Sequence, residues 1–512
     1  MLFRRLRSAL LDRRGNVAVV VALSLAPLSL AALGALDIAR ATAAKLELQD
    51  ALDAAALATA KSTVSDSTVL QQTGDRIFRQ NLALDSDVTL SSDTFTFGTG
   101  NVVVATASAA VRPLILGSIT GGPIVVGAHA QVTRAGNQLE IALVLDNTGS
   151  MAGTKLSNLQ TAANNFIDSM SQAATQSGDP NAIKISLVPF SNTVRIGSTF
   201  RNAAWIDQSG TSPINNQIFA DSTGAPIWAN RFTLLTQMGV TWAGCVESRQ
   251  APYDIQDTAP SSATPATLFT PYFAPDEPDR GGTYFNNYLP DGQPRGTSWQ
   301  VRQGGAAKYS GQPDLTSGMG PNWGCTLQPM QRLTTNFSAL KTAVNAMTAN
   351  GDTNIPMGMM WGWHTLSPNA PLADGVAYLT AKHKKIVILM TDGQNQMTDS
   401  GNSDQSFYSG AGYAWQGRVL QASGTPISGS NTQTERSAAL DDRLSKICTA
   451  MKAADKDIEI YTMRVEVVGG TSTVLQDCAS GADHYFDVTN SAQLDAVFQQ
   501  IAGSIAALHL SK

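Results

Sequence analysis

Apolar positions along this chain of 512 residues fall into runs of three kinds. Residues 17–36 are apolar almost throughout, broken only by Ser24, Pro27, Ser29 and Gly34. As a helix the stretch reaches roughly 30 Å, the thickness of a bilayer's hydrocarbon core. Beyond it, Leu46, Leu48, Ala51, Leu52, Ala55, Ala56 and Leu57 interleave with Lys45, Glu47, Asp50 and Asp53, and no Gly or Pro intervenes. The same helix is therefore predicted to run on into water. A second helix over 66–83 follows, and then the pattern alternates. Strands are predicted over 88–97 and 101–111, joined through 98–100, and over 124–132. The first part of the chain thus reads as a small α+β domain carried on a long helix.

From residue 139 strands and helices take turns. Residues 139–145 are Leu, Ile, Val and Ala apart from Glu140, which suits a strand buried on both faces of a parallel sheet. Thr154 can cap a helix on which Leu156, Leu159, Ala162, Ala163, Phe166, Ile167 and Met170 recur at helical spacing. Strands over 183–190, 386–390, 458–467 and 485–488 alternate with helices marked by Leu340 and Val344, by residues 356–366, by residues 437–454, and by Leu494, Phe498, Ile501 and Ile505. The Met and Trp stripe of 356–366 reads as core. The fold class predicted is α/β: a doubly wound, mainly parallel sheet. Two stretches interrupt it. Residues 197–330, with Trp205, Trp228, Trp242, Trp299 and Trp323, are too long for a structureless loop and read as an inserted subdomain or lid. Its aromatics either pack inside it or face a partner or glycan. Residues 394–435, rich in Ser, Gly and Gln, read as a mobile loop bordering the site, with Asp399 and Asp404 as solvated acids in preference to a second cation site. The expected division is a basic tail over 1–15, a transmembrane helix over 16–38, the rest of the small domain over 39–135, and the α/β domain over 136–512. A short polar junction lies at 134–137.

Charge and cysteine content add direction to this picture. Net charge is −5, and only 15% of residues are charged, so no basic field exists for nucleic acid. Arg4, Arg5, Arg7, Arg13 and Arg14 precede the apolar run, which places the amino terminus in the cytoplasm and everything after residue 38 outside. In a bacterium that is the periplasm or the cell surface. A cleaved signal peptide is the rival, but its apolar region is usually only about 7 to 15 residues long. Cys245, Cys325, Cys448 and Cys478 include no Cys-x-x-Cys pair, which disfavours zinc and suggests two disulfides. Cys245 with Cys325 and Cys448 with Cys478 is the preferred pairing, because each pair lies in one region. The other two connectivities and free thiols stay open.

Enzyme chemistry finds little support. His129, His364, His383, His484 and His509 are scattered, and no His-Glu-x-x-His or Gly-x-Ser-x-Gly occurs. Only three residues separate Gly149 from Gly153, and Thr154 precedes Lys155, so this is no phosphate loop. The chain is not expected to be an enzyme.

One stretch does carry chemistry. Asp146-Asn147-Thr148-Gly149-Ser150 places a carboxylate and two hydroxyls at i, i+2 and i+4, just past a strand, where open α/β sheets bind ligands. The same residue types also build ordinary turns. Thr353, in Gly351-Asp352-Thr353-Asn354, offers a third hydroxyl, and Asp392 follows the strand over 386–390. Oxygen ligands without Cys or His suit hard cations such as Mg²⁺, Mn²⁺ or Ca²⁺.

Asp146-x-Thr148-x-Ser150, then Thr353, then Asp392 resembles the von Willebrand factor A domain and its metal-ion-dependent adhesion site, with Thr148 where the family more often has Ser. The resemblance implies a divalent cation, Mg²⁺ first, with Mn²⁺ or Ca²⁺ as alternatives. Its remaining position would go to water or to a partner's carboxylate. Nearer the amino terminus, Arg14-Gly15-Asn16-Val17-Ala18, Asp37 and Gln49-x-x-x-Asp53-Ala54-Ala55-Ala56-Leu57-Ala58 resemble the TadE/TadG-like proteins of Flp (tight-adherence) pilus systems. Val20 stands where pilin-like members carry Glu, so prepilin-peptidase cleavage is not expected. The TadG branch joins such an anchor to an A-like domain. Together these resemblances imply an inner-membrane-anchored periplasmic pilus-assembly protein that binds pilus or secretion-machine components. The alternatives are a surface-exposed adhesin for host or matrix ligands, a metal-dependent extracellular hydrolase, or a cation that only stiffens loops.

Overall fold

The computed structural model describes residues 16–510 apart from 63, 65, 99–101, 116, 118–120, 134–135, 178, 180, 222, 280–283, 295, 317 and 468–471. The basic tail over 1–15, most of the link over 98–100 and part of the junction at 134–137 lie outside the described residues. The chain divides into two compact units, one formed mainly up to Gly136 and the other mainly from Asn137.

In the first unit a single helix, α1 (Asn16–Lys61), is followed by α2 (Ser67–Asn81). The Asp66 side chain caps α2 by accepting the N–H groups of Thr68 and Val69. Three strands, β1 (Val88–Gly98), β2 (Val102–Val111) and β3 (Ile124–Thr133), form an antiparallel sheet in that order. Leu48, Leu52, Ala55 and Ala56 of α1 pack with Leu70, Phe78, Phe95 and Val103. The start of α1 is apolar enough to cross a membrane, and its side chains are bare, with Leu23 71% exposed. The predicted span to residue 38 is too long, however. Gly34 and Asp37 are already buried in the unit, where Asp37 accepts the N–H groups of Leu114 at 2.7 Å and Ile115 at 3.0 Å. A carboxylate satisfied by backbone donors belongs in a protein interior and not in lipid. Twelve residues on, Gln49 brackets the β3 backbone at His129, donating at 2.9 Å and accepting at 3.2 Å.

The second unit is built on β4 (Gln138–Asp146), β5 (Ile183–Phe190), β6 (Val194–Arg195), β7 (Cys245–Val246), β8 (Gln331–Thr334), β9 (His383–Thr391), β10 (Ile458–Val465) and β11 (Tyr485–Val488). The strand order is β11-β10-β9-β4-β5-β6-β7, with β8 on β5. Pairing is parallel from β11 to β5 and antiparallel at β6, β7 and β8. The helices are α3 (Thr154–Ser177), α4 (Arg231–Gln237), α5 (Trp299–Gly304), α6 (Phe337–Asn345), α7 (Ile355–Leu366), α8 (Gln433–Lys452), α9 (Thr473–Cys478) and α10 (Leu494–Leu510). Thr154 is the first residue of α3 and not its cap. Side chains alternate across a strand, so Ile141 and Leu143 join one core with Phe166, Leu340 and Phe498, while Ala142 and Val144 join another with Trp361, Trp363 and Leu444. Glu140, the break in the apolar run, is buried in an ion pair with Lys385 and also accepts the N–H of Val376.

The long insert is not a lid or a separate subdomain. Its Phe219, Phe232, Tyr272 and Tyr309 share the apolar cluster of Val144, Val188, Trp361 and Trp363, and its β7 extends the main sheet through β6. Burial against the sheet gives this Pro- and Gly-rich chain its order. Its aromatics are mostly packed, though Trp228 is exposed. The second insertion is packed too, and not a loose loop. Tyr408 and Arg418 both reach the buried Glu247, and Met397, Ala414, Val419 and Ile427 cluster with Leu440. Asp404, expected in solvent, is fully buried and accepts the Trp415 indole N–H at 3.1 Å. Burial, reinforced by Glu277, pushes its carboxyl up to about 8. Disulfides join Cys245 to Cys325 and Cys448 to Cys478.

Candidate metal centre

β4 lies between β5 and β9, and the chain leaves its carboxyl end through the loop to α3. Register sets Leu145 opposite Met390 on one side and Asp146 opposite Phe190 on the other. The loops after β4 and β9 therefore emerge side by side, at the crevice where neighbouring connections of an open sheet part.

Four of the five candidate ligands form one hydrogen-bonded chain there. Asp146 Oδ1 accepts the N–H of Thr148 at 2.8 Å. Thr148 Oγ1 and Ser150 Oγ are 2.9 Å apart, and Ser150 Oγ donates to Asp392 Oδ1 at 2.7 Å. Asp146 Oδ2 accepts the Thr391 hydroxyl at 2.7 Å. Thr353 is not bonded into this chain; it is buried against the loop after β9, with its Oγ1 3.6 Å from where a Cβ on Gly393 would stand. The loop that carries it is stitched to the first. Gly149 N–H donates to the Gly351 carbonyl at 3.0 Å, Asn350 N–H to the Asn147 carbonyl at 2.8 Å, and the Asn147 side chain to the Thr348 carbonyl at 3.1 Å. Gly351 has φ +83°, and a Cβ there would press on Asn192 and Ser191, so the turn requires glycine.

Two contributors were not singled out from the sequence. Thr391 orients Asp146, and Lys155 Nζ donates to Asp392 Oδ2 at 2.6 Å. Lys155 drew notice only through the failed phosphate-loop pattern; its place near the start of α3, facing a strand-end acid, was the available clue. Burial pushes the Asp146 carboxyl up to about 6; the Thr391 hydroxyl opposes that, and the negative charge of Asp392 adds to it. An ionised Asp146 is thus short of positive charge.

Among the described residues, no three His, Cys, Asp or Glu side chains converge to hold a metal. A cation here would rest on the hydroxyls of Thr148, Ser150 and Thr353 together with Asp146 and Asp392. That all-oxygen donor set fits a hard divalent ion.

Comparison with known proteins bears on the amino-terminal helix. The Tad family, described as Flp pilus-assembly TadE/G-like, matches residues 15–62, which covers α1. No curated protein matches the chain. Similar solved structures include the pilus adhesin SpaC from Lactobacillus rhamnosus GG, at 12% identity and a TM-score of 0.33, covering 83% of this chain and 35% of that one. This chain thus spans about a third of SpaC. Two others are the vWF domain of the type V pili tip protein Mfa5 from Porphyromonas gingivalis (10%, 0.32, covering 72% and 95%) and the PilB minor pilin from Streptococcus sanguinis (9%, 0.32, covering 82% and 79%). At its amino terminus the chain carries a segment similar to the Flp pilus-assembly TadE/G-like family, and its second unit is mixed α/β.

Proposed function

We propose that this is a membrane-anchored, non-enzymatic component of Flp/Tad-type pilus assembly, facing the periplasm, whose second unit is a von Willebrand A-type domain that grips a protein partner through a divalent cation. Mg²⁺ is the first choice, with Asp146, Thr148, Ser150, Thr353 and Asp392 as the oxygen donors. The observation that carries the reading is the convergence of two acids and two hydroxyls, from loops 242 residues apart, into one hydrogen-bonded chain at the carboxyl ends of β4 and β9. The family match over α1 supports the pilus setting. A cation held mainly by neutral hydroxyls keeps residual positive charge and can attract a partner's Asp or Glu.

The test is a pull-down from an envelope extract with the detergent-solubilised full chain, read by mass spectrometry. Wild type with Mg²⁺, wild type with chelator and Asp146→Ala with Mg²⁺ are compared. Pilus or secretion components are expected only with the Mg²⁺-loaded wild type. The same set of proteins in all three samples would refute cation-dependent binding.

A further inference from the structure

Beside the candidate metal centre lies a cavity of about 350 Å³, within the range of ligand pockets. Four parts of the chain far apart in sequence line it: Asn192 after β5, residues 318–326 of the first insert, residues 350–352 before Thr353, and residues 396–409 of the second insertion. It adjoins the metal centre through the backbone. Gly351, in its wall, accepts the Gly149 N–H, and Gln396, also in its wall, donates its N–H to the Thr353 carbonyl at 2.7 Å.

Its lining is one-sided in charge. Among the described residues, Asp352 is the only carboxylate in the wall, and no Lys, Arg or His lines it. Both Asp352 oxygens accept from Thr398, one from the N–H at 2.9 Å and the other from the hydroxyl at 3.0 Å. These are neutral donors, and among the described residues no cationic side chain pairs with Asp352. Aromatic rings add faces of the same electron-rich sign. Trp323 and Phe407 stand with ring centroids 5.7 Å apart, and the Phe407 N–H donates at 3.2 Å to the carbonyl of Thr398, the residue that also bonds both Asp352 oxygens. Tyr408 also lines the cavity, but its hydroxyl is committed to Glu247.

A half-buried carboxylate without a counter-charge, walled by aromatic rings, is suited to a cation. Aromatic faces attract ammonium and guanidinium groups, most strongly where water is partly excluded. We propose that this cavity is a recognition site for a basic side chain of a protein partner, with Asp352 as counter-charge and Trp323 and Phe407 as walls. Its role beside a metal-bound carboxylate rests on the cation reading above: one partner segment would then present an acid to the metal and a neighbouring base to Asp352. Binding of a base in the cavity does not need the metal.

The experiment uses the full chain in detergent with chelator present, so that no divalent cation takes part. n-Butylguanidinium and its neutral analogue pentanamide are titrated by calorimetry. Wild type is expected to prefer the guanidinium by about tenfold or more, and Asp352→Asn to lose that preference. Asn keeps both Thr398 contacts, since its oxygen accepts the N–H and its amide donates to the hydroxyl, and an unchanged unfolding midpoint checks the fold. Equal binding of the two probes by wild type, no binding of either, or a preference that survives in Asp352→Asn would each overturn the proposal. The comparison of probes on wild type stands even if the variant fails to fold. A separate Mg²⁺ titration of wild type keeps the two readings distinguishable. Guanidinium preference without Mg²⁺ binding would sink the metal alone, and Mg²⁺ binding without the preference would sink the cavity alone.

Discussion

Asp392 takes two hydrogen bonds of opposite consequence, one from the Ser150 hydroxyl and one from the Lys155 ammonium. The hydroxyl can turn its lone pair to a metal, whereas the ammonium repels it. Lys155→Gln is therefore expected to tighten Mg²⁺ binding about three- to tenfold, measured by calorimetry; unchanged or weaker affinity would show that the ammonium does not oppose the ion. The same titration has a pH signature. Asp146 holds a proton below about pH 6, and a cation must displace it, so affinity is full above that value and falls as the pH drops through it. Residue types at the site were legible because Asp-x-Thr-x-Ser is local. The partners of those residues were not, since Lys155 meets an acid 237 residues away. Asp404 was misjudged for a similar reason: a polar sequence neighbourhood says nothing about burial beneath a Trp415 indole that donates to it or about the charge of Glu277, 127 residues away.

Helix α7 reaches the sheet through glycines. A Cβ at Gly358 would stand 2.6 Å from the Phe190 ring, and one at Gly362 2.5 Å from Val144 Cγ2. Spaced four apart, the two lie on one helix face and let α7 press on β4 and β5. Val144 is two residues before Asp146, so this packing also holds the loop that carries the candidate ligands. Gly362→Val is expected to destabilise the protein by about 1–3 kcal/mol and to weaken Mg²⁺ binding as β4 shifts. Denaturant unfolding and calorimetry test both effects, and a stability change below about 0.5 kcal/mol would mean that the helix yields without cost. The long strands β4, β5 and β9 were legible because burial on both faces demands an almost continuous apolar run. β6 and β7 were not, because two residues carry no periodicity and only a neighbouring strand makes them part of a sheet.

For the whole molecule, the exposed apolar start of α1 belongs in a bilayer. The wild-type protein is expected to stay with membranes through an alkaline wash. A variant with Leu23, Leu25 and Leu28 replaced by Arg is expected in the soluble fraction, because a charged side chain costs about 2.5–3.5 kcal/mol at a membrane centre. Equal retention of both proteins would locate the attachment elsewhere. That helix, the three-stranded sheet after it, the βα alternation and the oxygen-rich strand-end loops were all readable from order along the chain, since hydrophobic periodicity and turn chemistry act over a few residues. Folding of the chain in three dimensions decided the rest. It drew Asp37 out of the predicted span because backbone donors at residues 114–115 satisfy it. It fused the long insert to the core because Phe219, Phe232 and Tyr272 share one apolar cluster with Val144, Val188 and Trp361. It also set Asp352 beside Trp323 and Phe407 in one cavity wall, a neighbourhood created by long-range burial and pairing, which local pattern does not encode.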